Sequence, residues 1–280
     1  MKYIITHAGC THRDEFLAVA IILAKMKCNC PIYRRDPTSE ELKDPDIWVI
    51  DIGKQFDENL NNYDHHQFEK EHIPECSISL ILKKFNLYYP LYGSWILPTE
   101  ILDTKGPVEL AKYYHMPLPD LHNTMSPIEN VILEGFECKT EIIPPDWIYN
   151  TMVFIGIKLI GHIQTAAKQI KEAKKFLEIE HIGIVDVMFF KELIHPATAH
   201  VLRQELIKSG VDIAVSVMPD NRSEGWKLYR YFDDIRIDFT KCADDKKISF
   251  MHINGFVCTT DKKYSKDIIK ELILKSQNEK

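Results

Sequence analysis

The chain has 280 residues, a formal charge of −6, 45% hydrophobic residues and 27% charged residues. That is the profile of a globular rather than a disordered protein, and the length suits one large domain or two of moderate size. The negative balance argues against binding nucleic acid over the whole surface, although a local basic patch or a metal site could still receive a phosphate.

In chain order, "KYIIT" predicts a short strand ending at His7, and "DEFLAVAIILAKM" a helix opening near Arg13 with an acidic first turn. "PIYRR" and "IWVIDIG" read as two more strands, joined by a polar connection from Asp36 to Pro45 with "SEEL" helix chemistry. "SISLILKKF" is another helix. Alternating strands and helices are the signature of a parallel sheet, whose sites sit in loops beyond the carboxyl ends of the strands. His7 and Asp51 both fall at such ends. Residues 106–125 read as a loop with a short helix at "VELAKYY", followed by helices over about 127–135 and 146–178. Strand-like "IGIVDVMFF", "DIAVSVMP", "GWKLYRYF" and "ISFMHI" then return, with helical "PATAHVLRQELIKSG" and "YSKDIIKELILK" among them. The expected architecture is α/β: a catalytic lobe over 1–178 with a mainly parallel sheet flanked by helices, and a smaller α/β lobe over 179–280.

Seven cysteines without regular spacing predict reduced thiols, and Cys28-Asn-Cys30 lacks the second pair of a zinc knuckle. "MKYIITHAGCTHRDE" lacks the apolar core of a signal peptide. "TMVFIGIKLIGHI" carries Lys158 and is too short for a membrane span. A cytoplasmic protein is expected.

Four separated segments supply metal-type donors: His7-x-x-x-x-His12-x-Asp14, Asp51, Asp64-His65-His66, and Asp103 in "ILDTKGP". Imidazole and carboxylate without thiolate suit Mn²⁺, Fe²⁺ or Mg²⁺ rather than structural zinc. Carboxylates gathered in one cleft repel unless divalent cations neutralise them, and two bridged cations are the means of phosphoester or phosphoanhydride hydrolysis. Singly, each element has a plain alternative. His7 could be a strand-end histidine, Asp51 a turn residue, and Asp103 the cap of a helix starting near Pro107. The triplet is harder to explain away, because it sits in a polar segment without a core role.

In order and spacing these segments resemble the DHH phosphoesterase superfamily, named for its Asp-His-His triplet. Within it, "THAGCTHRDEFLA", "VIDIGKQFD" and "YDHHQ" resemble the Myg family of metal-dependent 3′–5′ RNA exonucleases, as do the late "GWKLYRY" and "SFMHINGFV". Between those last two stretches the chain is shorter than the family pattern, lacking its Arg-Pro-Leu-Pro and Trp-Arg-Gly-Leu elements. The resemblance implies two divalent cations, Mn²⁺ foremost. His7 and His12 would bind one metal and Asp14 the other, Asp51 would bridge them, and His65 and Asp103 would complete the second metal's shell. His66 would face the phosphate, Asp64 would hold an imidazole tautomer, and the adjacent histidines would point to different sides. The second lobe would act as a lid, with His252 and Gly255 as substrate contacts.

Lys105, just beyond Asp103, could reach a phosphate or be an exposed loop lysine. "HPATAH" repeats the His7 to His12 spacing but lacks the following carboxylate, so a helix start explains it better. The expected function is a metal-dependent phosphodiesterase on RNA 3′ ends or short oligonucleotides. The alternatives are a small-molecule phosphohydrolase for pyrophosphate or a cyclic dinucleotide, or a metal-dependent regulatory protein without catalysis. Homo-oligomerisation is left open, and no membrane partner is expected.

Overall fold

The apolar run after Met1 folds as β1 (Tyr3–Thr6), and the helix expected near Arg13 forms as α1 (Arg13–Met26). These come from a computed structural model that describes residues 1–69, 72–89, 95–124 and 126–278. Next come β2 (Ile32–Arg34), β3 (Ile47–Ile50), β4 (Phe56–Asp57), β5 (Asn62–Tyr63) and α2 (Ser77–Lys84). They are followed by α3 (Ile96–Lys105), α4 (Pro107–Tyr113), α5 (Leu118–Asn123), α6 (Pro127–Glu137), β6 (Glu141–Ile142) and α7 (Trp147–Lys175). The sheet order is β4-β5-β3-β1-β2-β6. The inner neighbours β5, β3, β1 and β2 pair in parallel, while β4 and β6 close the edges antiparallel. Both faces of such a sheet are covered, so β3 is a continuous buried run rather than an alternating one.

Helix α1 is buried over most of its length and shares a core with Ile4, Ile32, Trp48, Ile50 and α2. A Cβ built on Gly156 of α7 would lie 2.0 Å from the Ala20 carbonyl oxygen, so glycine is what lets that helix approach α1. The carboxyl ends of β1, β3 and β5 therefore sit beside the start of a helix that has little freedom to move.

The remaining elements are β7 (Leu177–Ile182), β8 (Val185–Phe190), α8 (Pro196–Lys208), β9 (Ile213–Pro219), β10 (Trp226–Arg230), β11 (Ile248–Met251), β12 (Val257–Thr260) and α9 (Lys266–Lys275). Their sheet runs β11-β12-β10-β9-β8-β7 and is antiparallel except at β8/β9, which α8 connects. Val187, Val215, Leu228, Ile269 and Ile273 contribute to its own apolar core. The mixed α/β class is as expected.

Several local expectations are corrected. The long helix stops at Lys175 instead of running to 178, because "LEIEHI" follows a two-residue alternation and pairs with β8. The connection from Asp36 to Pro45 holds a short 3₁₀ turn, Glu41–Lys43. Helix α3 and strand β12 were not anticipated from the sequence. Pro98 obscures α3, yet it sits in the first turn, where its missing N–H would have no intrahelical partner. His195 is the N-cap of α8, accepting from the Ala197 N–H at 3.2 Å. The described residues divide into units Met1–Thr165 and Ala166–Lys280. That division falls inside α7.

Candidate metal centre

Each donor segment lies at a carboxyl end of the parallel strands or on a helix beside them. His7 follows β1, Asp51 follows β3, and Asp64, His65 and His66 follow β5. His12 caps α1, Asp14 is in its first turn, and Asp103 is in the last turn of α3. Asp103 therefore does not cap the helix starting at Pro107, where Gly106 holds that position. Asp51 adopts a left-handed backbone, φ 61°, which a short polar side chain tolerates and which turns the carboxylate off the strand axis.

The side chains converge. His7 Nε2 lies 3.5 Å from Asp51 Oδ2, and His65 Nε2 lies 3.1 Å from Asp51 Oδ1 and 2.9 Å from Asp103 Oδ2. His12 Nδ1 is 3.6 Å from Asp103 Oδ1. Donor atoms within 4.8 Å of one another fall into three groups: His7, His12 and Asp51; Asp51, His65 and His66; and His12, Asp14 and Asp103. Asp51 and His12 each belong to two of them, and of the two only the carboxylate has two oxygens with which to bridge.

Whether these residues suit a cation can be judged from their unmet valences. His7 Nε2, both Asp14 oxygens, Asp51 Oδ2, His65 Nε2 and Asp103 Oδ2 are buried without a hydrogen-bond partner. The contacts above are thus short enough for ion pairs but not aligned as hydrogen bonds; the atoms aim at shared space rather than at each other. A buried, unpaired carboxylate is costly unless protonated or neutralised. Burial, then the charges of Asp51 and Asp103, push the Asp14 carboxyl well above its usual range. Burial also pushes Asp51 upward, but His65, His7 and the Ser77 hydroxyl outweigh it and hold that carboxyl low. Contact with Asp51, then Glu15, raises His7 to about 11. Burial lowers His65, yet Asp103 and Asp51 carry it up to about 10. Protons on these imidazoles stand where a divalent cation would supply the same charge. The donor set fits divalent cations.

Asp64 and His66 form a separate arrangement. Asp64 Oδ1 accepts from His66 Nδ1 at 2.7 Å and from the His66 N–H at 3.0 Å, while Oδ2 accepts from the Lys54 N–H at 2.6 Å. With Nδ1 engaged, Nε2 is the nitrogen His66 can offer to a ligand. The rings of the two histidines lie 4.5 Å apart at 31°. They follow β5 rather than lie in it, so strand alternation does not apply. Their exposure separates them instead, at 8% for the His65 side chain and 51% for that of His66. Together with Asp103 and Lys105 they line a cleft of about 600 Å³.

Two supporting residues escaped the sequence reading. Glu15, fully buried, contacts His7 Nε2 at 3.1 Å, accepts from the Thr6 hydroxyl and from the His12 N–H, and pairs with buried Arg34. Its capping-box position three residues after His12 was the available signal. Ser77 donates to Asp51 Oδ1 at 2.9 Å, and no spacing marked it. His252 and Gly255 lie in the second unit, in the turn between β11 and β12. There Gly255 donates to the His252 carbonyl at 2.8 Å, and the His252 ring lies 4.1 Å from Phe256. Gly255 has φ 63°, and a Cβ there would meet Asp238 Oδ1 at 2.2 Å, so the turn by itself requires glycine.

Residues 3–111, which contain every residue of the centre, match the family model MYG1_exonuc, described as "Uncharacterised protein family (UPF0160)". Over that span the chain is similar to this family. No curated protein matches in sequence. Among solved structures, a pGpG-specific phosphodiesterase from Vibrio cholerae is 9% identical, with TM-score 0.29 and 98% of each chain covered. RecJ with Mn²⁺ from Thermus thermophilus is 10% identical, with TM-score 0.26, covering 98% of this chain and 51% of RecJ. A putative family II inorganic pyrophosphatase from Methanococcus jannaschii is 14% identical, with TM-score 0.25 and 99% of each chain covered. Likenesses at these scores carry nothing about activity; the donor geometry stands by itself.

Proposed function

We propose that the chain is a metal-dependent phosphodiesterase acting on RNA 3′ ends or short oligonucleotides, with Mn²⁺ as the preferred cation. The observation that carries the reading is the buried cluster around Asp51, with unpartnered oxygens on Asp14, Asp51 and Asp103 and unpartnered nitrogens on His7 and His65, beside an open cleft. His7, His12 and Asp51 would hold one cation, and Asp14, Asp51, His65 and Asp103 the other. Such a pair supplies positive charge for phosphoryl oxygens and lowers the pKa of water at the site. His66, oriented by Asp64, presents Nε2 to the cleft, where it can bind a phosphoryl oxygen or give a proton to the leaving oxygen. Lys105 adds a cation at the same wall. For His252 and Gly255, a substrate contact rests on the resemblance alone.

A cytoplasmic location is part of this reading, supported by seven free cysteines. Among the described residues no helix is long and apolar enough to cross a membrane. The second reading is a small phosphoanhydride or cyclic dinucleotide as substrate, favoured by the Glu69 carboxylate in the cleft lining, which disfavours a long polyanion. Hydrolysis of labelled RNA, DNA, dinucleotides and pyrophosphate with Mn²⁺, Mg²⁺ or chelator decides between them. Turnover indifferent to chelator would remove the metal-dependent reading.

A further inference from the structure

The cleft beside His66 has an aromatic wall that the metal chemistry does not use. The Phe68 N–H donates to the His65 carbonyl at 2.9 Å, so a tight turn ties Phe68 to the backbone of a proposed ligand. Phe56 supports Phe68 edge-on, with centroids 6.0 Å apart at 87°. The His72 imidazole stacks on Phe68 at 4.5 Å and 28°. The His72 Nδ1 donates to the Ile73 carbonyl at 2.8 Å, and Nε2 lies 3.6 Å from Glu75 Oε2. Glu75 is itself paired with Lys83. The His72 side chain keeps 38% exposure and lines the same cleft as His65, His66 and Asp103. One ring face rests on Phe68, and among the described residues no second ring stacks on the imidazole.

We propose that the Phe68–His72 stack is a platform for the nucleobase adjoining the scissile phosphate, so that the substrate is a nucleotide rather than a base-free phosphate or phosphoanhydride. The proposal rests on the phosphodiesterase reading above and names the substrate class of that site. Every base has a π-face, so stacking selects for a base without selecting which one. A ring held at Nδ1 and stacked on Phe68 loses little freedom when a second ring is laid on it. Glu69 in the cleft lining repels further phosphates, so the platform takes the base of a chain end rather than the middle of a long strand.

The test uses the full chain with Mn²⁺ and ligands paired with and without a base. Calorimetry compares a nucleoside 5′-monophosphate with ribose 5-phosphate. Kinetics compare a dinucleotide with its analogue in which hydrogen replaces both bases. The expected result is a preference of about tenfold for the base-bearing ligand. His72→Ala should abolish that preference and raise KM for the dinucleotide about as much, leaving kcat and the base-free values unchanged, and His72→Phe should restore it. Equal affinities in the unaltered chain, or equal losses with both ligands in His72→Ala, would overturn the platform. Hydrolysis of both dinucleotides with the same KM keeps the phosphodiesterase and removes the platform. Hydrolysis of neither removes the phosphodiesterase and the platform with it.

Discussion

The two units treat charge in opposite ways. In the second, Glu178 and Glu180 on β7 are bracketed by Lys191, Lys266 and Lys270, and Arg236 is shared between Asp234 and Asp212. Among its described side chains, Ser216 Oγ and Arg230 Nε are the buried polar atoms without a partner. In the first unit, carboxylates and imidazoles crowd the ends of three parallel strands, and several of their inward atoms have no partner. Satisfied charge at the surface contributes little and asks for nothing further. Unsatisfied charge in the interior is held in place by the rest of the fold and is completed by a ligand.

The largest way to break this contrast is Asp51→Ala. It should remove metal and activity together, by about 10³-fold or more, since loss of a shared ligand exceeds the roughly 10–100-fold cost of changing a residue that only supports a ligand. Metal content and turnover measured on one preparation check it, and full activity would refute the bridging role. Next is His66→Ala, expected to keep its metal and lose about 10²-fold in kcat, with Asp64→Asn at about 10–100-fold.

The charge state sharpens the contrast further. His7 at about 11 and His65 at about 10 are protonated near neutrality in the absence of metal. Each must shed its proton to bind a cation through that nitrogen. Apparent metal affinity should therefore rise with pH, by up to about tenfold per unit for each proton released. Calorimetry in two buffers of different ionisation enthalpy counts those protons, and pH-independent affinity would contradict this account. Smaller again is Asp14→Asn. Without metal it should be more stable than the unaltered chain by roughly 1–3 kcal/mol of relieved burial and repulsion, and metal should no longer raise its melting temperature as much. Smallest is Lys266→Ala in the second unit, expected to cost at most about 1 kcal/mol and no activity, because its partly exposed ion pairs are screened by solvent.

Much of this was legible in the sequence because the relevant physics is local. Strand ends at His7 and Asp51, the acidic opening of α1 and the polar setting of Asp64-His65-His66 all leave periodic or compositional marks. What was not legible depends on partners distant in sequence. Ser77 matters because α2 brings it to Asp51, 26 residues away. Glu15 looked like an ordinary first-turn acid until Arg34 and His7 were seen to enclose it. Helix α3 was hidden by Pro98, and β4 and β5 are too short to show a period of two. The boundary between α7 and β7 was lost because "KKFLEIE" satisfies helix chemistry and strand alternation at once, and pairing with β8 decides it.

The left-handed turn at Asp51 has a consequence for how such a protein can fail. At φ 61° the position tolerates aspartate and asparagine about equally, while β-branched and bulky residues are strained there. Asp51→Asn would therefore leave the strand, the turn and the surrounding walls in place while removing the shared negative charge. One substitution can convert a working centre into a silent copy of the same shape, and only the identity of residue 51 tells the two apart.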